Sequence, residues 1–311
     1  MHLVITDSGL GGLGICAAIE SAFRLSGSAG NVRLTYFNAW PEKGRGYNSL
    51  PDEATRLAFF DRALARMSQL GPDRIVIACN TLSVLFGLTG FARTSGLPVV
   101  GIIDAGVDLF HEALGGDRSG SIALFGTRIT VESGVHRDRL VQRGIAPDRI
   151  VSVPCHGLAA AIEKDAGSSE VERLIDQSAS QAAALMPRTG PLLAGLCCTH
   201  YGYVADRFRA SLERASGRAV RILDPNGALV RLVVPEPAAG FRREAPPHAA
   251  EDPSLAPRGS SLPARGVITV EVLSKVTLDE STRAGIGRLV APVSSATACA
   301  LQSYSHVPDL F

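Results

Sequence analysis

Two segments far apart in the chain share one plan, and that plan limits what the chain can fold into. Leu192 to Tyr201 reads LLAGLCCTHY, and Asp73 to Ser83 reads DRIVIACNTLS. Each is a short apolar run without helical spacing that ends in cysteine and small hydrogen-bonding residues. Such runs read as strands buried on both faces, the kind found in parallel sheets covered by helices. Open α/β sheets bind ligands outside the carboxyl ends of their strands. Two cysteines at two strand ends are therefore the first candidates for a site.

The rest of the chain alternates in the same way. HLVITD reads as a strand, GLGGLG as a turn, and the following helix has apolar positions at Ile15, Ala18, Ile19 and Ala22. VRLTYF, RIVIAC and PVVGIID are further strands. The helix before RIVIAC is expected to begin with an N-cap near Ser49 and Pro51 just inside. NTLSVLFGLTGFARTSG reads as a helix ended by Gly90 or Gly96. From Ala105 the pattern renews itself through the strands SIALFGT, RIVSVPC and LLAGLCC, and RAVRILD and GVITVEVLSKVTL follow. This alternation predicts an α/β fold with parallel sheets and helices on both faces.

A chain of 311 residues is long enough for two cores. The expected architecture is two parallel-sheet α/β domains with the active site in the cleft between them. Residues 1–97 with 202–311 would form the first domain, and residues 98–201 the second. Seven of the eighteen prolines fall within 235–265, which reads as an irregular surface insertion. Arg242, Arg243 and His248, within it, could touch a ligand.

With 46% hydrophobic residues, 20% charged residues and a net charge of +1, the chain has no marker of nucleic-acid binding or membrane attraction. No apolar run is long enough to span a bilayer and no signal-peptide pattern opens the chain, so the expected address is the cytoplasm. The expected partner is a small molecule. The oligomeric state is open, a homodimer included. Six scattered cysteines do not form a disulfide scaffold and should be thiols. Cys16 and Cys299 read as small core residues. Cys155, His156, Cys197, Cys198 and His200 fit no closed zinc spacing, so no metal is expected. GLGGLG lacks the acidic residue that a dinucleotide site needs after its second strand. Its glycines better suit a carboxylate ligand approaching backbone amides.

Two thiols at facing strand ends suit one particular chemistry. Inverting an amino acid at its α-carbon needs a base on one face and an acid on the other, and a thiolate is a competent base when its surroundings lower its pKa. Donors around the α-carboxylate would stabilise the developing charge, and Asn80, Thr81 and Thr199 stand beside the cysteines.

ITDSGLGGL, VIACNTLS, VVGIIDAG, LFGTRITVESG, CHGLAAAIE and LCCTHY, in this order, resemble the successive motifs of glutamate racemases and the wider aspartate/glutamate racemase superfamily. The resemblance runs from about Leu3 to about Asp224. It implies a cofactor-independent racemase that interconverts L- and D-glutamate with two cysteines and supplies D-glutamate for peptidoglycan. It further implies that Cys79 and Cys198 are the catalytic pair, that Asp7 assists the first and His200 the second, and that Glu163 supports His200. Ser8, Asn80, Thr81, Thr127 and Thr199 match substrate-holding groups. The residues by themselves leave Asp7 open as a helix cap, His200 as a core histidine and Glu163 as a charge on a helix surface.

Some positions depart from the pattern. Gly44-Arg45-Gly46 is read where glutamate racemases have Pro-Tyr-Gly, which makes Arg45 a candidate carboxylate clamp. Cys197 stands where a glycine is usual, His156 where a proline is, and Gly202-Tyr203 where Pro-Leu is. Sister reactions therefore stay open: aspartate or hydantoin racemisation, maleate isomerisation, or a catalytically silent ligand-binding protein of the same fold.

Overall fold

The computed structural model describes residues 1–26, 30–116, 119–234 and 266–311. Its strands are β1 (His2–Asp7), β2 (Val32–Asn38), β3 (Arg74–Ile77), β4 (Val99–Gly101), β5 (Ser121–Gly126), β6 (Ile150–Pro154), β7 (Leu192–Cys197), β8 (Val220–Leu223), β9 (Ile268–Ser274) and β10 (Ser305–His306). They form a six-stranded sheet in the order β10-β9-β2-β1-β3-β4 and a four-stranded sheet in the order β6-β5-β7-β8. Every pairing is parallel. The fold is the expected α/β class.

The helices that cover the first sheet early in the chain are α1 (Leu13–Ser26), α2 (Glu53–Gln69), α3 (Asn80–Phe86) and α4 (Gly90–Thr94). Those of the second are α5 (Ile102–Gly115), α6 (Arg128–Glu132), α7 (Val135–Gln142), α8 (Leu158–Asp165), α9 (Ser169–Leu185) and α10 (Ala205–Ser216). The chain closes with α11 (Pro225–Val233), α12 (Glu280–Val290) and α13 (Ser295–Gln302).

Side chains alternate across each pleat, so every central strand feeds two cores. In β1, Leu3 and Ile5 enter the core under α1, α12 and α13, while Val4 enters the one under α2 and α3. In β7, Leu192, Ala194 and Leu196 face α9 and α10, while Leu193 and Cys197 face α5. This alternation separates the adjacent cysteines: Cys198 continues the α9/α10 face and Cys197 the opposite one. In the core that Cys198 shares, the Phe208 ring lies tilted against those of Tyr201 and Phe125, with centroids 5.3 and 5.0 Å away. Truncating it to alanine would cost about 3–5 kcal/mol and loosen the turn that carries the cysteine.

Strand pairing sets the limits of each sheet. β4 pairs with β3, so the first sheet extends through Gly101. β8 pairs with β7, so the second sheet extends to Leu223. Alternation shows that a strand exists but not which neighbour it joins. Locally, Asp52 caps α2 by accepting from Thr55 N at 2.7 Å, and Pro51 lies before the helix. The stretch after Cys79 forms two helices, α3 and α4, in place of one. Cys16 is buried as expected, whereas Cys299 is exposed on α13. Arg242, Arg243, His248 and the rest of the proline-rich insertion lie outside the described residues.

Candidate active site

One cleft of about 380 Å³ lies at the carboxyl ends of strands from both sheets. Asp7, Ser8, Cys79, Asn80 and Thr81 line it from the first sheet, and Thr127, Glu163, Cys198, Thr199 and His200 from the second. Its volume suits a small molecule. All the sequence-predicted site residues except Arg45 meet here.

Cys79 follows β3 at the N-cap of α3, and Ser8 Oγ lies 3.2 Å from its sulfur. Ser8 N donates to Asp7 Oδ1 at 2.6 Å, so Asp7 and Ser8 form one unit at the end of β1. Burial, and then the Asp7 charge, push the Cys79 thiol well above its ordinary range, with the Ser8 hydrogen bonds pulling the other way. A carboxylate beside a buried thiol favours the protonated form.

Cys198 has the opposite neighbour. His200 Nδ1 lies 3.8 Å from its sulfur, and His200 Nε2 lies 2.9 Å from Glu163 Oε2. Burial alone would lower the His200 pKa, but its hydrogen bonds to Cys198 and Glu163 raise it well above the ordinary value. The two hydrogen bonds thus favour the imidazolium form of the ring between Cys198 and Glu163. Glu163 is buried, so it is not a charge on a helix surface, and His200 is buried with its two ring nitrogens towards Cys198 and Glu163.

The glycine loop after β1 brings these units together. A methyl group on Gly11 would overlap both the His200 ring and the Thr199 hydroxyl. Only Gly9 of that loop lines the cleft. Its glycines therefore serve close packing against the second-cysteine turn more than approach to a ligand. Tyr36 Oη donates to Gly9 O at 2.6 Å and Tyr203 Oη to Gly11 O at 3.1 Å, fixing the loop. Tyr203, a departure from the family pattern, thereby becomes a support.

Asn80 is 2% exposed, and neither Oδ1 nor Nδ2 has a partner among the described residues. Leaving such groups unpaired costs about 1–3 kcal/mol each, so this side chain is shaped for something that enters the cleft. Next to it, the hydroxyls of Thr81, Thr127 and Thr130 form a triangle with sides of 2.9, 3.2 and 3.1 Å that ties α3 to α6.

Arg45 is a correction. It does not line the cleft; its guanidinium lies 3.6 Å from Glu42 and is largely in solvent. The reason is a tight turn, closed by Arg45 N donating to Glu42 O at 3.0 Å with Gly44 at φ +74°, which turns both side chains outward. Trp40, Tyr47, Asn48 and Ser49 of this loop do reach the cleft, with Gly44 and Gly46 beside them. Arg128 reaches it from α6, donating through Nη2 to Asn48 O at 2.8 Å. None of these was read from the sequence. Tyr47 follows Gly46, two positions beyond Arg45.

Two parallel sheets that share a cleft, with a thiol at a strand end of each, define the class of protein. A family model described as Asp/Glu/Hydantoin racemase matches residues 13–233. The glutamate racemase of Jannaschia sp. (strain CCS1) is 31% identical over 224 residues, spanning 68% of this chain and 77% of that one. The solved glutamate racemase of Francisella tularensis subsp. tularensis SCHU S4, in complex with D-glutamate, has a TM-score of 0.64 at 19% identity over 93% of this chain and 92% of that one. The glutamate racemase of Campylobacter jejuni subsp. jejuni has a TM-score of 0.61 at 19% identity, over 93% and 98%. The chain belongs to the Asp/Glu/Hydantoin racemase family. It is an isomerase of the racemase type.

Proposed function

We propose that this protein interconverts L- and D-glutamate without a cofactor, by proton transfer between two thiols and the α-carbon. The observation that carries this reading is the pairing of opposite environments in one cleft. Cys79 stands beside the Asp7 carboxylate and Cys198 beside the His200 imidazolium. A protonated thiol on one side and a thiol next to a cation on the other are the acid and base that inversion needs. Cys198 takes the α-proton of the L enantiomer while Cys79 delivers one to the opposite face, and the roles exchange for the D enantiomer. Asn80, Thr81 and Thr199 hold the α-substituents, and the Ser8 hydroxyl hydrogen-bonds the first thiol.

The product D-glutamate would serve peptidoglycan synthesis. Purified protein incubated with each enantiomer of glutamate and of aspartate, followed by polarimetry, tests the reaction. Absence of any change in rotation with glutamate would end this reading. Growth of a D-glutamate-requiring bacterium carrying this protein tests the cellular role.

A further inference from the structure

We infer that Arg128 is the specificity-determining charge of the cleft, pairing with the carboxylate at the far end of an acidic substrate's side chain. The inference rests on the proposed reaction and adds what the reaction alone does not fix, namely how this cleft tells an acidic amino acid from a neutral one. Among the described residues that line the cleft, Arg128 is the one arginine or lysine side chain. The two carboxylates of the lining are already engaged: Asp7 accepts from Ser8 N and the Thr199 hydroxyl, and Glu163 pairs with His200. Among the described residues no carboxylate lies within ion-pairing distance of Arg128.

One of its five N–H groups binds Asn48 O. The remaining fork is free to grip a carboxylate with two parallel bonds, a geometry that a lysine cannot reproduce. The Asn48 contact also aims the side chain. Asn48 Oδ1 accepts from Ile129 N at 3.1 Å, so the rim loop and the start of α6 are tied together at this point. The same rim loop holds two buried donors without a partner among the described residues, Trp40 Nε1 and Tyr47 Oη. Arg128 also directly follows Thr127, whose hydroxyl meets Thr81 beside Asn80. A substrate with its α-carboxylate near Asn80 and Thr81 has the guanidinium at the neighbouring rim. A hydantoin has no such distal carboxylate, so the charge separates substrates within the family.

Trp40, the single tryptophan of the chain, lines the cleft and reports occupancy by its fluorescence. The test titrates wild type, Arg128→Gln and Arg128→Lys with glutamate and with its neutral isostere glutamine, with calorimetry as a second readout. Wild type should bind glutamate at least about tenfold more tightly than glutamine, a factor worth about 1.4 kcal/mol. The preference should vanish in Arg128→Gln and return in part in Arg128→Lys. Arg128→Gln with the preference intact, or wild type without one, overturns the inference. A preference that depends on Arg128 in a protein that racemises neither glutamate nor aspartate leaves Arg128 in this role and rejects the proposed reaction.

Discussion

The Thr199 hydroxyl donates to Asp7 Oδ2 at 2.8 Å, joining residues 192 positions apart. Asp7 ends β1 of the first sheet, and Thr199 follows Cys198 at the end of β7 in the second. The carboxylate beside one thiol is therefore held by the residue next to the other. This buried hydrogen bond links the two thiol environments directly, so a disturbance of either is felt at both.

Removing that hydroxyl tests the link. Thr199→Val leaves Asp7 Oδ2 without its donor, and a hydrogen bond to a charged group is worth about 1.5–3 kcal/mol. We expect kcat/KM for glutamate to fall by roughly 10- to 100-fold. Thr199→Ser, which keeps the donor, should recover most of it. Equal losses in the two variants would assign the effect to packing.

The two-thiol mechanism makes a sharper claim. Cys79→Ala and Cys198→Ala should each reduce racemisation by several orders of magnitude, because acid and base act as a unit. In deuterium oxide the wild type should place deuterium at the α-carbon of product as it forms, read by proton NMR. A Cys198→Ala protein turning over at near wild-type rate would sink the mechanism.

The glycine loop gives a steric prediction. A methyl group at Gly11 meets the His200 ring and the Thr199 hydroxyl at once, and neither can retreat because both are hydrogen-bonded and buried. Gly11→Ala should destabilise the fold by about 1–3 kcal/mol, seen in denaturant titration, and should lower activity further than that loss alone. Gly44→Ala makes a poor control because its φ is +74°. Gly30→Ala, with open space around the position, should leave activity as it is.

What could be read from the sequence follows from where each kind of information resides. The strand-end cysteines, Asn80, Thr81 and the Thr199–His200 pair lie at the junction of an apolar run and a turn, so hydrophobic pattern locates them, whereas Asp7 and the role of His200 came from the family resemblance. Glu163 came only from the family resemblance, because a helix position shows its burial only once α8 is packed. Trp40, Tyr47, Asn48 and Arg128 were missed for a different reason. The loop after β2 has no periodicity; a tight Glu42–Arg45 turn directs Arg45 outward, and a contact with Asn48 O holds Arg128 at the rim, neither of which composition reveals. The limits of the first sheet were hard to read for a similar reason at β4, a three-residue strand whose partner is set by packing.

Arg45 supplies a control for all claims about charge. Its side chain is 58% exposed beside Glu42 and outside the cleft. Exposed pairs of this sort contribute about 0–1 kcal/mol. Arg45→Ala should therefore change KM for glutamate by less than about twofold, in contrast to Arg128→Gln. A large rise in KM would restore Arg45 as the clamp and mean that the rim loop reorganises when substrate binds.

The Glu163–His200 pair yields a dependence on pH. Burial alone would lower the His200 pKa, but the hydrogen bonds to Cys198 and Glu163 raise it above its ordinary 6.5. For a histidine raised on folding, the added stability is fully present below the unfolded value and is lost as pH rises through the folded one. Glu163→Gln keeps an oxygen that can face Nε2 but removes the negative charge, so the folded pKa falls and the loss begins at lower pH. The imidazolium next to Cys198 disappears over the same range. The alkaline limb of kcat/KM and the alkaline fall in thermal midpoint should then shift together towards neutrality in the variant. The ¹⁵N shift of the His200 ring, followed across the titration, identifies the group responsible. If both profiles of Glu163→Gln overlie those of wild type, Glu163 does not hold the charge on His200, and its part in poising Cys198 is rejected.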